Sequence, residues 1–203
     1  MRWIRYTAAG KTAYGILDGD TISEVTGDPF AGHEATGTTR KLADVRVEVP
    51  VIPKTFYAVG FNYPEHVREV AKRQGVEPNL PTQPDVGYRA NNALIGDGQT
   101  IVIPACATEK IHYEGELVVV IGKEAKHLNE ANARSCVLGY TIGNDVSERT
   151  WQAGDRTMWR AKNADTFKPM GPWIETDIDD LDKLETIVRL NGEEQIRFKT
   201  NAM

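Results

Sequence analysis

Cysteine is nearly absent from this chain: Cys106 and Cys136 are the only two among 203 residues. Both fall in segments that read as strand or strand edge. Two thiols build no disulfide framework and suit a reducing compartment, and both are expected to be small buried apolar residues rather than nucleophiles. A basic block is also missing, and the net charge is −5, which argues against nucleic acid as a partner. No apolar run approaches the ~20 residues that a membrane span needs. The start, Met1-Arg2-Trp3-Ile4-Arg5-Tyr6, lacks the apolar stretch of a secretory signal. No internal repeat and no low-complexity tract is found. Gly60, Gly139 and Gly143 do not make a Gly-x-Gly-x-x-Gly pattern and no Lys-Ser/Thr follows them, so a phosphate-cradling loop is excluded; close strand packing is their expected purpose. What remains is a cytoplasmic protein with a small-molecule partner and no membrane or nucleic acid.

What is present is acidic and strand-like. His112-Tyr113-Glu114-Gly115-Glu116-Leu117, continuing into Val118-Val119-Val120-Ile121, reads as a strand because β-branched residues dominate it and no helical period fits. Alternation then puts His112, Glu114, Glu116, Val118 and Val120 on one face. Burying a polar group without a partner costs roughly 2–7 kcal/mol, and two like charges side by side cost more. A hard divalent cation with oxygen ligands answers both costs. An edge strand with two solvated glutamates is the alternative.

A third acid follows the next apolar run. Cys136-Val137-Leu138-Gly139-Tyr140-Thr141-Ile142-Gly143-Asn144 reads as a buried strand that leads into Asp145-Val146-Ser147-Glu148. Strand ends display functional side chains on a rigid scaffold, yet Asp145 with Glu148 three residues later also fits a capping box. Ser147 could do the capping instead and leave Asp145 free for metal.

The organisation changes near residue 50. Trp3–Tyr6, turning at Ala9-Gly10 into Thr12–Leu17, and then Asp18-Gly19-Asp20 into Thr21–Val25, predict a small antiparallel meander. Residues 27–50 read as a linker or loose cover. Further strands are predicted at Thr55–Val59, Gln99–Ile103, Tyr113–Ile121, Val137–Asn144, Trp173–Thr176 and Thr186–Leu190. Asn191-Gly192 signals a hairpin into Gln195–Phe198. Trp151, Trp159 and Trp173 are expected in the core or a pocket wall, and Asp177-Ile178-Asp179-Asp180 as a solvated turn. The fold class is α+β and strand-rich with short helices: residues 1–50 form a small antiparallel β domain and residues 51–203 a second unit.

These segments together carry a resemblance. Val59-Gly60-Phe61-Asn62-Tyr63 with His66 and Glu69, Tyr113-Glu114-Gly115-Glu116-Leu117, Gly139 through Arg149, Lys162 through Trp173, and Asn191-Gly192 with Thr200 stand in the order found in the fumarylacetoacetate hydrolase (FAH) family. The chain is similar to its 2-hydroxyhepta-2,4-diene-1,7-dioate isomerase and acylpyruvate hydrolase members. The resemblance implies a mixed β-roll and a homodimer. It also implies Mg²⁺, Mn²⁺ or Ca²⁺ bound by Glu114, Glu116 and Asp145, and a 2-oxo or 2-enol carboxylic acid as substrate. The outcome would be C–C hydrolysis or isomerisation in aromatic catabolism. An oxaloacetate-type decarboxylase and a non-catalytic small-molecule binder are the alternatives. Two departures stand out. Members normally continue for several tens of residues past Met203, so residues 51–203 are expected to be a C-terminally incomplete catalytic domain. Arg89, in Tyr88-Arg89-Ala90-Asn91, stands where many members have the lysine of Phe-x-Lys-Pro, and a planar guanidinium is not its equivalent.

The remaining site residues are assigned with the help of this likeness. Pro64 suits a first helical position, and His66 and Glu69, three apart, meet on one helix face. That spacing alone fits an ordinary surface pair; the family's mobile lid helix makes them an acid–base dyad. Lys162 alone reads as a solvated lysine, whereas the family sets a lysine here against the substrate, holding developing negative charge. Gln152, Arg149, Thr200 and Arg89 are the further substrate-binding candidates. His112 is expected behind the metal ligands, not among them.

Overall fold

The computed structural model describes the whole chain, residues 1–203. Strands β1 (Arg2–Ala8), β2 (Lys11–Asp18) and β3 (Thr21–Asp28) form the predicted meander. Positive φ at Ala9 and Gly10 closes the first turn, as a two-residue hairpin turn requires. Where a loose cover is expected, the chain instead adds strand β4 (Gly32–Lys41) and a short β5 (Arg46–Val47). Asp28 Oδ1 accepts from the Phe30 and Ala31 N–H groups at 2.7 and 2.9 Å, which makes the turn into β4. Between Ser23 and Val25 the β3–β4 register shifts, absorbing the extra residues around Gly37. The Gly, Thr, Pro and mixed charge of residues 27–50 fit a linker or loose cover, and pairing with β3 overrides that local preference.

Strand β6 (Phe56–Gly60), helix α1 (Pro64–Gln74) and strand β7 (Asp85–Arg89) come next; β6 and β7 form a separate two-stranded ribbon. Pro64 starts α1, Val67 and Ala71 make its buried stripe, and Gly75 ends it at φ 69°. After β8 (Leu94–Ile95), the segment Gln99–Ile103 forms no strand. The Val102 N–H donates to Thr166 Oγ1 at 2.7 Å, so this segment is tied to a loop rather than to a ladder. Strand β9 (Ile111–His112) is separate from β10 (Gly115–Ile121), and β11 (Val137–Asn144) has the predicted bounds. Short β12 (Ser147–Glu148) pairs with β9 and leads into α2 (Arg149–Gly154) and α3 (Trp159–Lys162). Strand β13 (Lys168–Glu175) begins well before the expected Trp173. The chain ends in the hairpin of β14 (Glu185–Leu190) and β15 (Glu193–Lys199), with Asn191 and Gly192 both at positive φ.

One sheet joins most of these strands in the order β10-β11-β13-β1-β2-β3-β4. Trp3 faces Ile174 across the β1–β13 pairing, so the first fifty residues share a sheet with the later strands. Both sides of that junction are buried. Ile4, Tyr6, Leu17 and Ile22 pack on one side, and Trp3, Val25, Val120 and Ile174 on the other. Each large side chain fully buried in this way contributes about 1.5–3 kcal/mol. Gly139 and Gly143 are explained by close packing: a Cβ would lie 2.5 Å from the Glu175 carbonyl oxygen at the first and 2.8 Å from a Val118 methyl at the second. Gly60 is not so constrained, since a Cβ there would come no nearer than 3.4 Å to Asp85. Of the thiols, Cys136 is buried as expected; Cys106 is exposed, in a segment without a strand partner. Trp159 is 53% exposed and is not a core residue. Asp180 caps the turn at Leu181–Lys183.

Candidate metal centre

The chain breaks between β9 and β10, so His112 does not continue the strand that carries Glu116. His112 pairs with Ser147 instead, and its Nδ1 accepts from Arg149 Nε at 3.2 Å. At the break, the Glu114 N–H donates to Asn144 Oδ1 and the Asp145 N–H donates to the Glu114 carbonyl, both at 2.9 Å. Two strand ends are thereby locked side by side, and their acids meet. Carboxylate oxygens of Glu114, Glu116 and Asp145 all lie within 4.8 Å of one another.

The capping alternative for Asp145 is resolved by its neighbours. Glu148, fully buried, is the N-cap of α2 and accepts from the Trp151 N–H. The Ser147 hydroxyl donates to the Asp145 carbonyl at 2.8 Å. Asp145's side chain is left to a cluster of cations. Arg89 forks onto it through Nε and Nη2 at 2.8 and 2.7 Å, Lys162 Nζ reaches it at 2.6 Å and Lys168 Nζ at 2.9 Å. Lys162 also bridges to Glu114 Oε2 at 2.6 Å.

Two carboxylates in this cluster are held very differently. Burial works to raise Asp145, but the Arg89 hydrogen bonds and the charges of Lys168, Lys162 and Arg89 outweigh it and hold the carboxyl far below the usual range. Glu116 has no such partner. Burial, then repulsion by Asp145 and Glu114, pushes it up to about 7. Burial likewise pulls Lys168 down to about 8, with Asp145 opposing the fall. Three converging oxygen donors, one of them with no cation bonded to it, are a fit for a hard divalent cation, and an all-oxygen set disfavours zinc.

The other site residues divide into two groups. Arg149 joins the cluster: its guanidinium pairs with Glu114 and donates to Gln152 Oε1 at 2.7 Å, so both candidates sit beside the acids. Thr200 is buried with its hydroxyl directed at the Leu181 and Leu184 carbonyls, the latter at 3.3 Å. His66 and Glu69 are exposed on α1 and no hydrogen bond joins them; Glu69 lies 3.6 Å from Arg73. Tyr63, at the start of α1, packs edge-on against Phe198 at 4.9 Å, and its phenol is raised by burial and by the charge of Glu116. Helix α1 is therefore rooted against β15 at Phe198.

Lys168 is a buried cation of the cluster that the sequence pattern alone does not mark. The hint it leaves is a lysine between Phe167 and Pro169-Met170, at the head of an apolar strand, where a solvated side chain has no place. Asn163 is a second such residue: its Oδ1 accepts from the buried Ala90 N–H at 2.6 Å, and Asn92 donates to Asp165 at 2.6 Å. These bonds lace the segment bearing Arg89 to the segment bearing Lys162.

Comparison with known proteins places this geometry. A family model described as fumarylacetoacetate (FAA) hydrolase C-terminal matches residues 55–203, and one described as Rv2993c-like, N-terminal, matches residues 1–50. Protein Rv2993c of Mycobacterium tuberculosis is 37% identical, with 100% of this chain and 77% of that protein covered. A 2,4-didehydro-3-deoxy-L-rhamnonate hydrolase of a Sphingomonas species is 32% identical over 100% of this chain and 74% of its own length. The crystal structure of a 5-carboxymethyl-2-hydroxymuconate delta-isomerase from Mycobacterium smegmatis superposes with a TM-score of 0.87 at 37% identity, covering 100% of this chain and 77% of that one. The chain belongs to the fumarylacetoacetate hydrolase family and is an enzyme of the kind its hydrolase and isomerase relatives represent. It has their strand-rich fold.

Proposed function

We propose that this family member is a divalent-metal-dependent enzyme that acts on a 2-oxo or 2-enol carboxylic acid, hydrolysing a C–C bond of an acylpyruvate or isomerising a 2-hydroxy-diene-dioate. The observation that carries this reading is the convergence of Glu114, Glu116 and Asp145 within 4.8 Å, with Lys162 bridging two of them. A bound Mg²⁺ or Mn²⁺ would supply Lewis acidity and a template for the substrate's carboxylate and adjoining oxo oxygen.

The chain's own residues supply the rest. The Lys162 ammonium, 6% exposed, is placed to hold negative charge as it develops on the substrate oxygen. Arg89 and Arg149 offer planar forks for carboxylate oxygens, and Gln152, fixed by Arg149, offers an amide donor. Thr200 turns its hydroxyl to the backbone, so any contact of its own with substrate would need that turn to reorganise. Proton transfer falls to His66, with Glu69 orienting it, once α1 carries them over the acids. The likeness to a hydroxymuconate isomerase and to a hydrolase of a didehydro-deoxy sugar acid supports a 2-oxo or enol acid and leaves both outcomes in play. Aromatic catabolism in the cytoplasm is the setting proposed for it. Val119, Ile121 and Ile142, exposed on the outer face of β10 and β11, are surface that a homodimer would bury.

The test is a Mg²⁺- or Mn²⁺-dependent assay over acylpyruvates, oxaloacetate and hydroxy-diene-dioates, with oxalate as competitor. Turnover of an acylpyruvate or a hydroxy-diene-dioate, blocked by oxalate, is expected. Release of CO₂ from oxaloacetate, with no turnover of the others, would move the assignment to decarboxylation. Metal binding with no turnover of any of these would make the chain a binder.

A further inference from the structure

Asp145 is surrounded more completely than one ion pair requires. Arg89 Nε and Lys168 Nζ lie 2.8 and 2.9 Å from Oδ1, while Arg89 Nη2 and Lys162 Nζ lie 2.7 and 2.6 Å from Oδ2. A carboxylate offers about four lone-pair positions, and four cationic nitrogens occupy them. A divalent ion that takes Asp145 as a ligand must therefore displace one of them.

The three cations are not equally free to leave. Lys168 is 3% exposed, and its ammonium also donates to the Val146 and Phe167 carbonyls at 2.9 Å each. With Asp145 that makes three contacts for three N–H groups, two of them to fixed backbone. Lys162 is retained by Glu114 even if its bond to Asp145 loosens. Arg89 has neither restraint. Its Nη1 donates to the Tyr88 carbonyl at 3.0 Å, but the Nε and Nη2 fork bonds only Asp145. It also stands on the β6–β7 ribbon, outside the main sheet.

We propose that Arg89 is an exchangeable counter-cation that competes with a divalent ion for Asp145, while Lys168 is the fixed support that holds the same carboxylate in position. Lys168 is on this account a positioning residue. Arg89, once displaced, presents an unpaired fork at the edge of the site, suited to a carboxylate of the substrate. The inference rests on the metal reading given above and adds opposite signs for two neighbouring cations.

Mn²⁺ binding to the full chain, measured calorimetrically on wild type, Arg89→Met and Lys168→Met, tests it without any turnover assay. Arg89→Met should bind Mn²⁺ roughly tenfold more tightly, the size of one charge-assisted hydrogen bond released from competition. Lys168→Met should bind about 10–100-fold more weakly, as loss of a support behind a metal ligand does. Equal or weaker binding by Arg89→Met, or equal or tighter binding by Lys168→Met, overturns the proposal. A wild type that does not bind Mn²⁺ overturns the metal reading itself and this proposal with it, a result distinct from equal affinities. Unfolding curves in chelator establish that the variants fold. Should Lys168→Met fail to fold, Lys168→Gln keeps a donor for the two carbonyls and takes its place.

Discussion

Glu116 and Asp145 share one cluster, within 4.8 Å, yet are driven in opposite directions: Asp145 far down by Arg89, Lys162 and Lys168, Glu116 up to about 7. One carboxylate is bonded directly to three cations, while the other feels Lys162 and Arg89 only through space and is bonded to neither. The consequences are measurable.

Glu116→Gln should remove the metal-dependent rise in Tm and, in chelator at pH 8, leave the protein more stable than wild type. A raised folded-state value means that wild-type stability falls as pH rises from the ordinary glutamate range through about 7. The advantage of the variant should therefore vanish near pH 5, where the wild-type side chain is protonated in the folded chain. Unfolding curves at the two pH values decide it, and unchanged Mn²⁺ stabilisation in the variant would remove Glu116 from the site.

Mn²⁺ affinity should climb with pH below about 7 and level off above it, because a protonated Glu116 competes with the ion. Titrations between pH 5.5 and pH 8 would show about a tenfold gain per pH unit on the acid limb if one proton is released. A flat profile would mean that Glu116 is not a ligand.

Lys162→Met keeps the length of the stem and removes the charge that bridges Glu114 and Asp145. Turnover should fall far more than Mn²⁺ affinity. Wild-type turnover in this variant would leave Lys162 as a structural cation of the cluster.

His66→Ala should lower turnover about 10²–10⁴-fold with Mn²⁺ and oxalate binding almost unchanged. In the structure His66 is exposed and makes no hydrogen bond to Glu69, so near-normal turnover would return both residues to an ordinary helix surface.

Gly139→Ala should destabilise the fold by about 1–3 kcal/mol, since its methyl group would meet the Glu175 carbonyl oxygen at 2.5 Å in the paired β11–β13 strands. Urea unfolding measures this directly, and a neutral effect would show that the two strands can part.

Much of the strand framework was legible because it is written in local pattern. The turns at Ala9-Gly10 and Asn191-Gly192 need left-handed backbone, and their flanks alternate; both hairpins formed. Val137–Asn144 was apolar and β-branched enough to give its bounds. Where local pattern was silent, neighbours decided. Gly32–Lys41 became a strand because β3 offered an edge to pair with, and Gln99–Ile103 stayed out of any sheet because nothing did.

The same division runs through the site. Alternation from residue 112 to residue 121 marked Glu114 and Glu116, and the end of an apolar strand marked Asp145; the sequence by itself determined which acids are candidates, since an unpaired carboxylate in an apolar run demands an explanation. It placed His112 on their strand only because a break at Tyr113-Glu114 leaves no local signal. Which cations answer the acids was decided by tertiary structure alone. Arg89, Lys162 and Lys168 reach Asp145 across as many as 56 residues of sequence, and no periodicity records a contact of that range. The energy of a buried charge depends on everything within a few ångströms of it, and in this chain those neighbours come from four separate segments folded onto one another.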